Sequence, residues 1–289
     1  EGDLSETFAD QIEKANMDTQ SFSLLTVEAV PDEADCVLIY APASDISTDE
    51  AEKLADYVAG GGKLMVVSGP LEDGGLTNLN TLLERYGVTV NEGIVVENDS
   101  DHFFYGYPYL LLPEINSADI TDSLIAEKYN VLMPVAAGLT VSGESGAGTV
   151  TALLTTSDSA FSKTAGYNLT TYEKEEGDID GPFALAVSIE DDSGGSLIWF
   201  SSSDFLEEQV NAYSSGANCD LAMNALSAMI GESEAISIRS KSLNYNYLTI
   251  SDSTSSLLKV LMVGVIPLAF LGVGVCVVLQ KRRRQNESV

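Results

Sequence analysis

Two side chains have the chemistry of a nucleophile and its activating base, and they stand far apart in the chain. Ser68 ends the apolar run KLMVVS ahead of Gly69 and Pro70, and His102 is the lone histidine. A hydroxyl attacks only when an oriented base takes its proton, on a sharp strand-to-helix turn of the G-x-S-x-G kind. Neither that turn nor G-x-C-x-G occurs, and His102 lies in an acidic, aromatic stretch. Ser68 therefore reads as a turn serine, and catalysis is not expected. Gly60-Gly61-Gly62-Lys63 looks like part of a phosphate loop, but a Walker A motif has Gly, four residues, then Gly-Lys-Ser/Thr opening a helix. Leu64 follows the lysine and an apolar strand-like run begins there. The glycines read as a helix stop, no cofactor is expected, and any ATP-driven work falls to another protein.

Acidic clusters raise the question of a hard cation. Asp178-Ile179-Asp180-Gly181 has part of an EF-hand loop, with Val187 where the final glutamate belongs; Glu97, Asp99 and Asp101 alternate along an extended segment. Calcium needs several oxygens enclosing one point, so both read as solvated loops and no metal is expected. More distinctive is the run HFFYGYPYLLLP, which holds Phe103, Phe104, Tyr105, Tyr107 and Tyr109. Such rings are favoured at interfaces; the equal alternative is a small satellite core beneath a long loop. This run is the first candidate for a partner or ligand surface. Asp204 and Phe205 after SLIWFSSSDF are the second, because ligands of open α/β sheets sit beyond the carboxyl ends of the strands.

The elements that must position these residues follow an α/β pattern. Cys36 to Ala41 is a short apolar run bounded by Asp35 and Pro42 and reads as a buried strand. Ser47 or Thr48 caps a helix with Ala51, Leu54, Ala55 and Val58 at three- and four-residue spacing, and Gly60 to Gly62 end it. Lys63 to Ser68 is a second buried strand and Leu76 to Tyr86 a second helix. Strand, helix, strand, helix with short loops predicts a parallel sheet with helices on its faces. Residues 93–181 are less regular: strands are expected at Gly93 to Val96, Val131 to Ser142 and Val150 to Thr156, and Ser157 to Gly181 has loop composition. Phe183 to Ile189 and Ser196 to Ser201 read as an antiparallel hairpin, Asn218 to Ile230 as a buried helix and Ala235 to Arg239 as a last strand.

The carboxyl-terminal end is of another character. Val260 to Leu279 is 20 residues without a charge, interrupted only by Pro267, the length of one bilayer span at about 1.5 Å rise per residue. Lys281, Arg282, Arg283 and Arg284 follow directly, and basic residues concentrate on the cytoplasmic side. Expected is an extracytoplasmic domain over residues 1–239, a Ser-, Asn- and Tyr-rich stalk over 240–256, a membrane helix over 257–280 and a cytoplasmic basic tail over 281–289. An outside domain needs a means of export, so an amino-terminal region ahead of Glu1, with another membrane segment, is expected too. Residues 1–279 hold 10 basic and 43 acidic residues, a net −33. That balance excludes nucleic acid and argues against anionic lipids or substrates; it reads as a solvated outward surface in preference to a lure for a basic partner. Three cysteines, Cys36, Cys219 and Cys276, make no disulfide framework and no zinc spacing, and a Cys36–Cys219 pair stays open.

Several segments together resemble the GldG family, first named for gliding motility. They are Pro31, the DCVLIYAP run, Asp45-x-Ser-x-x-Glu50, YVAGGGKLMVV, LLERYGVTVNEGIVVEND, WFSSSDFL and NCDLAMNALSAMIGE, then a serine-rich linker, an IP-containing span and RRR. The resemblance covers nearly the whole chain and lies in the order of the pieces. It implies a flavodoxin-like or class I glutamine amidotransferase-like α/β fold and a membrane-anchored auxiliary subunit of an ABC-type transport system, beside an ATPase and a permease. The expectation is a non-catalytic component that contacts the permease or presents substrate; the alternatives are a surface hydrolase on an amidotransferase-like scaffold and an envelope or motility scaffold.

Overall fold

After Lys63 the run LMVV has no polar position, so as a strand it must be covered on both faces, and the fold is built around that need. A computed structural model of the chain describes residues 2–142, 147–231, 256, 259–268, 270–272 and 274. The chain divides into two units, Glu1–Asn246 and Tyr247–Val289, considered separately.

In the first unit, β1 (Val37–Tyr40), β2 (Lys63–Val67) and a strand from the far end of the chain, Ser196–Phe200, lie parallel with β2 in the middle. Between them in sequence come β3 (Val88–Val90), β4 (Ile94–Val96), β5 (Phe103–Phe104), β6 (Tyr107–Leu111), β7 (Glu114–Ile115), β8 (Met133–Pro134), β9 (Leu139–Val141), β10 (Gly148–Thr155), β11 (Phe161–Lys163), β12 (Ile179–Asp180) and β13 (Ala184–Asp191), so that Ser196–Phe200 is β14. The main sheet has eight strands, with the path β1-β2-β14-β13-β10-β7 and β9 joining β13 to β3. β13 and β14 form the expected hairpin, Ala186 opposite Phe200 and Glu190 opposite Ser196. Its turn packs so closely on the helix between β1 and β2, Thr48–Ala59, that a Cβ on Gly195 would lie 2.0 Å from the Val58 carbonyl oxygen.

The expected parallel sheet is therefore corrected to a mixed one: besides the expected hairpin, β10, β7 and β9 also run antiparallel to their neighbours. The hairpin itself is the cause, because a four-residue turn, Asp192 to Gly195, returns the chain antiparallel where only a crossover could have kept it parallel. Two three-stranded sheets, β12-β11-β4 and β5-β6-β8, fill the irregular middle. The Ser157 to Gly181 stretch, read as loop, contributes β11 and β12, and Val131 to Ser142 is two short strands instead of one.

Helices cover both faces, as the pattern requires. On one, Leu64, Val66, Leu197 and Trp199 meet Leu54 and Val58 of α2 (Thr48–Ala59) and Leu79, Leu82 and Leu83 of α3 (Thr77–Glu84). On the other, Met65, Val67, Ile198 and Phe200 meet Phe8 and Ile12 of α1 (Glu6–Lys14) and Leu221, Ala225 and Met229 of a long buried helix, Ala217–Ile230. Two short helices, α4 (Asp122–Glu127) and α5 (Glu208–Tyr213), make that long helix α6. The patterning foresaw α2, α3 and α6; it missed α1, α4 and α5, which are short or polar on most of their surface.

The Asp45-x-Ser-x-x-Glu50 motif has a structural account. Ser47 and Glu50 form a reciprocal capping box at the start of α2. Asp45 reaches across to α3, whose own N-cap residue, Leu76, supplies no side-chain acceptor: its carboxylate accepts from the N–H groups of Asn78 at 2.8 Å and Leu79 at 3.1 Å. Gly60 ends α2 and Gly61, at φ +94°, turns the chain into β2. The glycine triplet is a helix stop feeding a strand.

In the second unit, residues 259–268 are helical, Val260–Val265 in π-helical form. Among the described residues no helix is long and apolar enough to cross a membrane. Val260 and Pro267 are on the described helix; Leu279, the Lys281 to Arg284 tail, the stalk up to residue 255 and the expected strand Ala235 to Arg239 lie outside the described residues.

Asp45→Ala is expected to destabilise the domain by about 1–2 kcal/mol, since it leaves two N–H groups at the start of α3 without their acceptor. Asp45→Asn is expected to recover part of the loss, and urea unfolding of the three proteins measures it.

Candidate functional site

The aromatic run divides between core and surface. β5 and β6 are joined by Tyr105 and Gly106, at φ +53° and +78°, the left-handed pair that two-residue hairpins favour. Phe104 is buried with Leu132 and Val210 in a small separate cluster, whereas Tyr105 is 73% and Tyr107 51% exposed at the tip. Phe103 and Tyr109 are half-buried. The run thus splits between a small satellite core, which holds Phe104, and rings exposed at the hairpin tip.

Two tyrosines distant in sequence complete the surface. Tyr109 stands between Tyr107 (centroids 5.8 Å apart, planes at 55°) and Tyr172 (5.7 Å, 31°). Phe104 contacts Tyr105 edge-on at 4.5 Å and Tyr213 of α5 at 5.5 Å. Burial first, then the neighbouring Tyr172 and Tyr107 hydroxyls, hold the Tyr109 phenol above its ordinary pKa. The sequence carried a weak signal for Tyr172, a lone ring beside the acidic run EKEEGDID, and none for Tyr213.

A lysine anchors the loop that carries Tyr172. Lys163 on β11 is fully buried, its Nζ donating to the Glu173 carbonyl at 2.8 Å and pairing with Glu175 and, at 3.1 Å, with Asp178. Desolvation pulls the ammonium down, but the bonds to Glu175 and Asp178 outweigh it and leave its pKa raised. Asp178, 3% exposed, is likewise pushed up by burial but held below the ordinary carboxylate value by N–H groups of Glu175 and Thr164 and by Lys163.

The second candidate lies at the carboxyl ends of the parallel strands. A cleft of about 520 Å³ is lined by Gly2, Asp3, Tyr40, Ser203, Asp204 and Glu207 among others. Burial, then Glu207, raises the Asp204 carboxyl; burial, then Glu207 and Asp204, pushes the Tyr40 phenol to about 12. Phe205 is not part of any surface: it is fully buried and stacks on Phe200 at 4.6 Å. An aromatic side chain on the turn after β14 folds inward for the area it buries.

Ser68 and His102 have separate partners. Ser68 is buried at the end of β2, its N–H donating to the Phe200 carbonyl at 3.0 Å. His102 lies between acids, Nδ1 3.3 Å from Asp99 and Nε2 3.7 Å from Glu114. Among the described residues no hydrogen bond joins the two. The alternating acids diverge. Glu97, 2% exposed, accepts from the N–H groups of Asn98, Asp99 and Ser157 and from the Ser157 hydroxyl. Asp99 accepts from the Asp101 N–H, and Asp180 pairs with Lys174. Among the described residues no three His, Cys, Asp or Glu side chains are grouped to hold a metal ion. Cys36 and Cys219 are free thiols, each pushed to about 12 mainly by burial, where the reactive thiolate is scarce at neutral pH.

A family model described as "ABC-type uncharacterized transport system" matches residues 2–225. Among solved structures, the "mmIFT52 N-terminal domain" is similar, with a TM-score of 0.56 at 17% identity over 78% of this chain and 90% of that one. At this identity the likeness is one of fold. The "Exo-beta-1,4-mannosidase Op5Man5 from Opitutaceae bacterium strain TAV5" gives a TM-score of 0.33 at 11% identity over 69% of this chain and 26% of that one, too low to support an argument. No curated protein matches.

Lys163→Met is expected to cost about 1–3 kcal/mol in urea unfolding, since it strips the buried Asp178 of its counter-charge. The pH dependence has a definite sign. A depressed Asp178 pKa gives stability that is fully present above the unfolded value of 3.8 and lost as pH falls through the folded value. Melting temperature is expected to fall below pH 4, and less steeply in Asp178→Asn.

Proposed function

We propose, for a chain that belongs to the auxiliary family of ABC-type uncharacterized transport systems, that it is the non-catalytic extracytoplasmic component of such a system, of the GldG type. Its partners are an ATPase and a permease, and its task is to contact the permease and present or gate a substrate. The match over residues 2–225, nearly all of the folded first unit, is the observation that carries this reading. Residues 257–280 tether the domain to the membrane and Lys281 to Arg284 keep the tail inside, a proposal that rests on length and charge order.

The chemistry of the chain is consistent with a binding role. Its glycine triplet stops a helix, and the neighbours of Ser68 and His102 are structural ones. Among the described surfaces the tyrosine face suits a protein contact best, because Tyr gives a large apolar area with a polar tip at small entropic cost. The strand-end cleft offers carboxylates, which suit a cationic or neutral occupant and repel an anion.

Affinity purification of the full-length protein from its native membranes in mild detergent is expected to recover an ABC ATPase and a polytopic permease in stoichiometric amounts. Recovery of the chain alone defeats the reading. Ser68→Ala and His102→Ala are expected to leave transport unchanged, and a loss from either returns the hydrolase alternative. Deletion of residues 257–284 is expected to release a soluble domain and abolish transport; a soluble form that still supports transport removes the tether.

A further inference from the structure

The tyrosine face and the acidic charge meet at one place. Tyr107, Tyr109 and Tyr172 are in sequential contact, with their planes inclined at 55° and 31°. Rings so inclined form no flat platform of the kind a stacked sugar needs, and adjacent faces set at an angle bound a cup. A cup between aromatic faces is an electrostatic seat for an ammonium or guanidinium group. Beside it the exposed segment 172–177 carries Glu173, Glu175 and Glu176. Glu175 is engaged by Lys163, whereas the carboxylates of Glu173 and Glu176 have no partner among the described residues. The two lysines of this region are both committed, Lys163 to Asp178 and Glu175 and Lys174 to Asp180, so no cation of the protein's own competes for the cup. Rigidity comes from two sides: the hairpin rests on the cluster of Phe104, Leu132 and Val210, and the Tyr172 loop is held by Lys163.

We infer that the cup of Tyr107, Tyr109 and Tyr172, flanked by Glu173 and Glu176, docks an extended Lys- or Arg-bearing segment of a partner protein. Cation–π contact with the rings fixes the basic side chain, and the flanking carboxylates draw the segment in. The chemistry follows from the face itself, while placing the segment on a transport partner rests on the auxiliary-subunit reading. In this docking the net −30 charge is the long-range field that steers the basic segment.

The test titrates the full chain, in mild detergent, with a fluorescent Gly-Ser peptide bearing Lys and Arg at alternate positions and with the same peptide carrying Gln in their place. Saturable binding of the basic peptide alone is expected, weakening with salt. Tyr107→Ala with Tyr172→Ala is expected to weaken it about tenfold, whereas Phe at both positions keeps it within about twofold because the ring faces remain. Equal binding of the two peptides, or no effect of the Ala pair, overturns the proposal. So does a preference for a neutral oligosaccharide or for phosphatidylcholine vesicles. Recovery of ATPase and permease by a chain that binds no basic peptide overturns this site and leaves the auxiliary reading standing; loss of both from the unaltered chain overturns that reading itself.

Discussion

A strand that is apolar on both faces is the constraint on which the rest of the molecule depends. Leu64, Met65, Val66 and Val67 are all at 0% exposure, and because successive side chains point to opposite faces, β2 needs a full layer on each. Helices α2 and α3 form one layer, α1 and α6 the other. β14 continues the requirement with Leu197 and Trp199 on one side and Ile198 and Phe200 on the other. Flanked by β1 and β14, β2 finds partners for its backbone in two parallel ladders. The carboxyl ends of these three strands then open on one edge, which is where Tyr40 and Asp204 line a cleft.

A chain with 44 acidic residues against 14 basic ones must place its carboxylates where self-repulsion is bearable, and it employs many of them as acceptors for its own backbone. Asp45 caps α3 from another loop, Glu97 gathers N–H groups from two loops, Asp178 joins Lys163, and Asp191 accepts from Ser193 and from the Tyr86 hydroxyl at 2.8 Å. A carboxylate whose lone pairs are already taken by N–H groups has little left for a cation. Glu97, Asp99 and Asp180, whose spacings resemble calcium loops, each take a partner from the protein itself. The acids left outside this role form the solvated surface and its field.

The tyrosine face is assembled from separate pieces of the chain. The hairpin supplies Tyr105, Tyr107 and Tyr109, the loop ahead of β12 supplies Tyr172, and α5 supplies Tyr213. The hairpin rests on the Phe104, Leu132 and Val210 cluster and the Tyr172 loop is held by Lys163, so two of these pieces have a fixed support behind them. Preorganisation of this kind lowers the entropic cost of any association at such a face.

Periodicity and helix signals determined a good part of the fold: the two parallel strands, the capped helix between them, its stop at Gly60 to Gly62, the β13–β14 hairpin and the buried α6. These are local consequences of side-chain spacing and backbone preference, so they are written in consecutive residues. The order of the pieces also pointed to an auxiliary family of ABC-type transport systems, the level at which the match over residues 2–225 agrees. What only the tertiary structure decided was pairing between distant segments. It placed β14 beside β2 and turned the sheet antiparallel beyond it, buried Phe205 and Lys163, sent Asp45 to α3, and brought Tyr172 and Tyr213 to the hairpin. Long-range contacts depend on which surfaces remain unburied once local elements exist, and no spacing within a single segment encodes that.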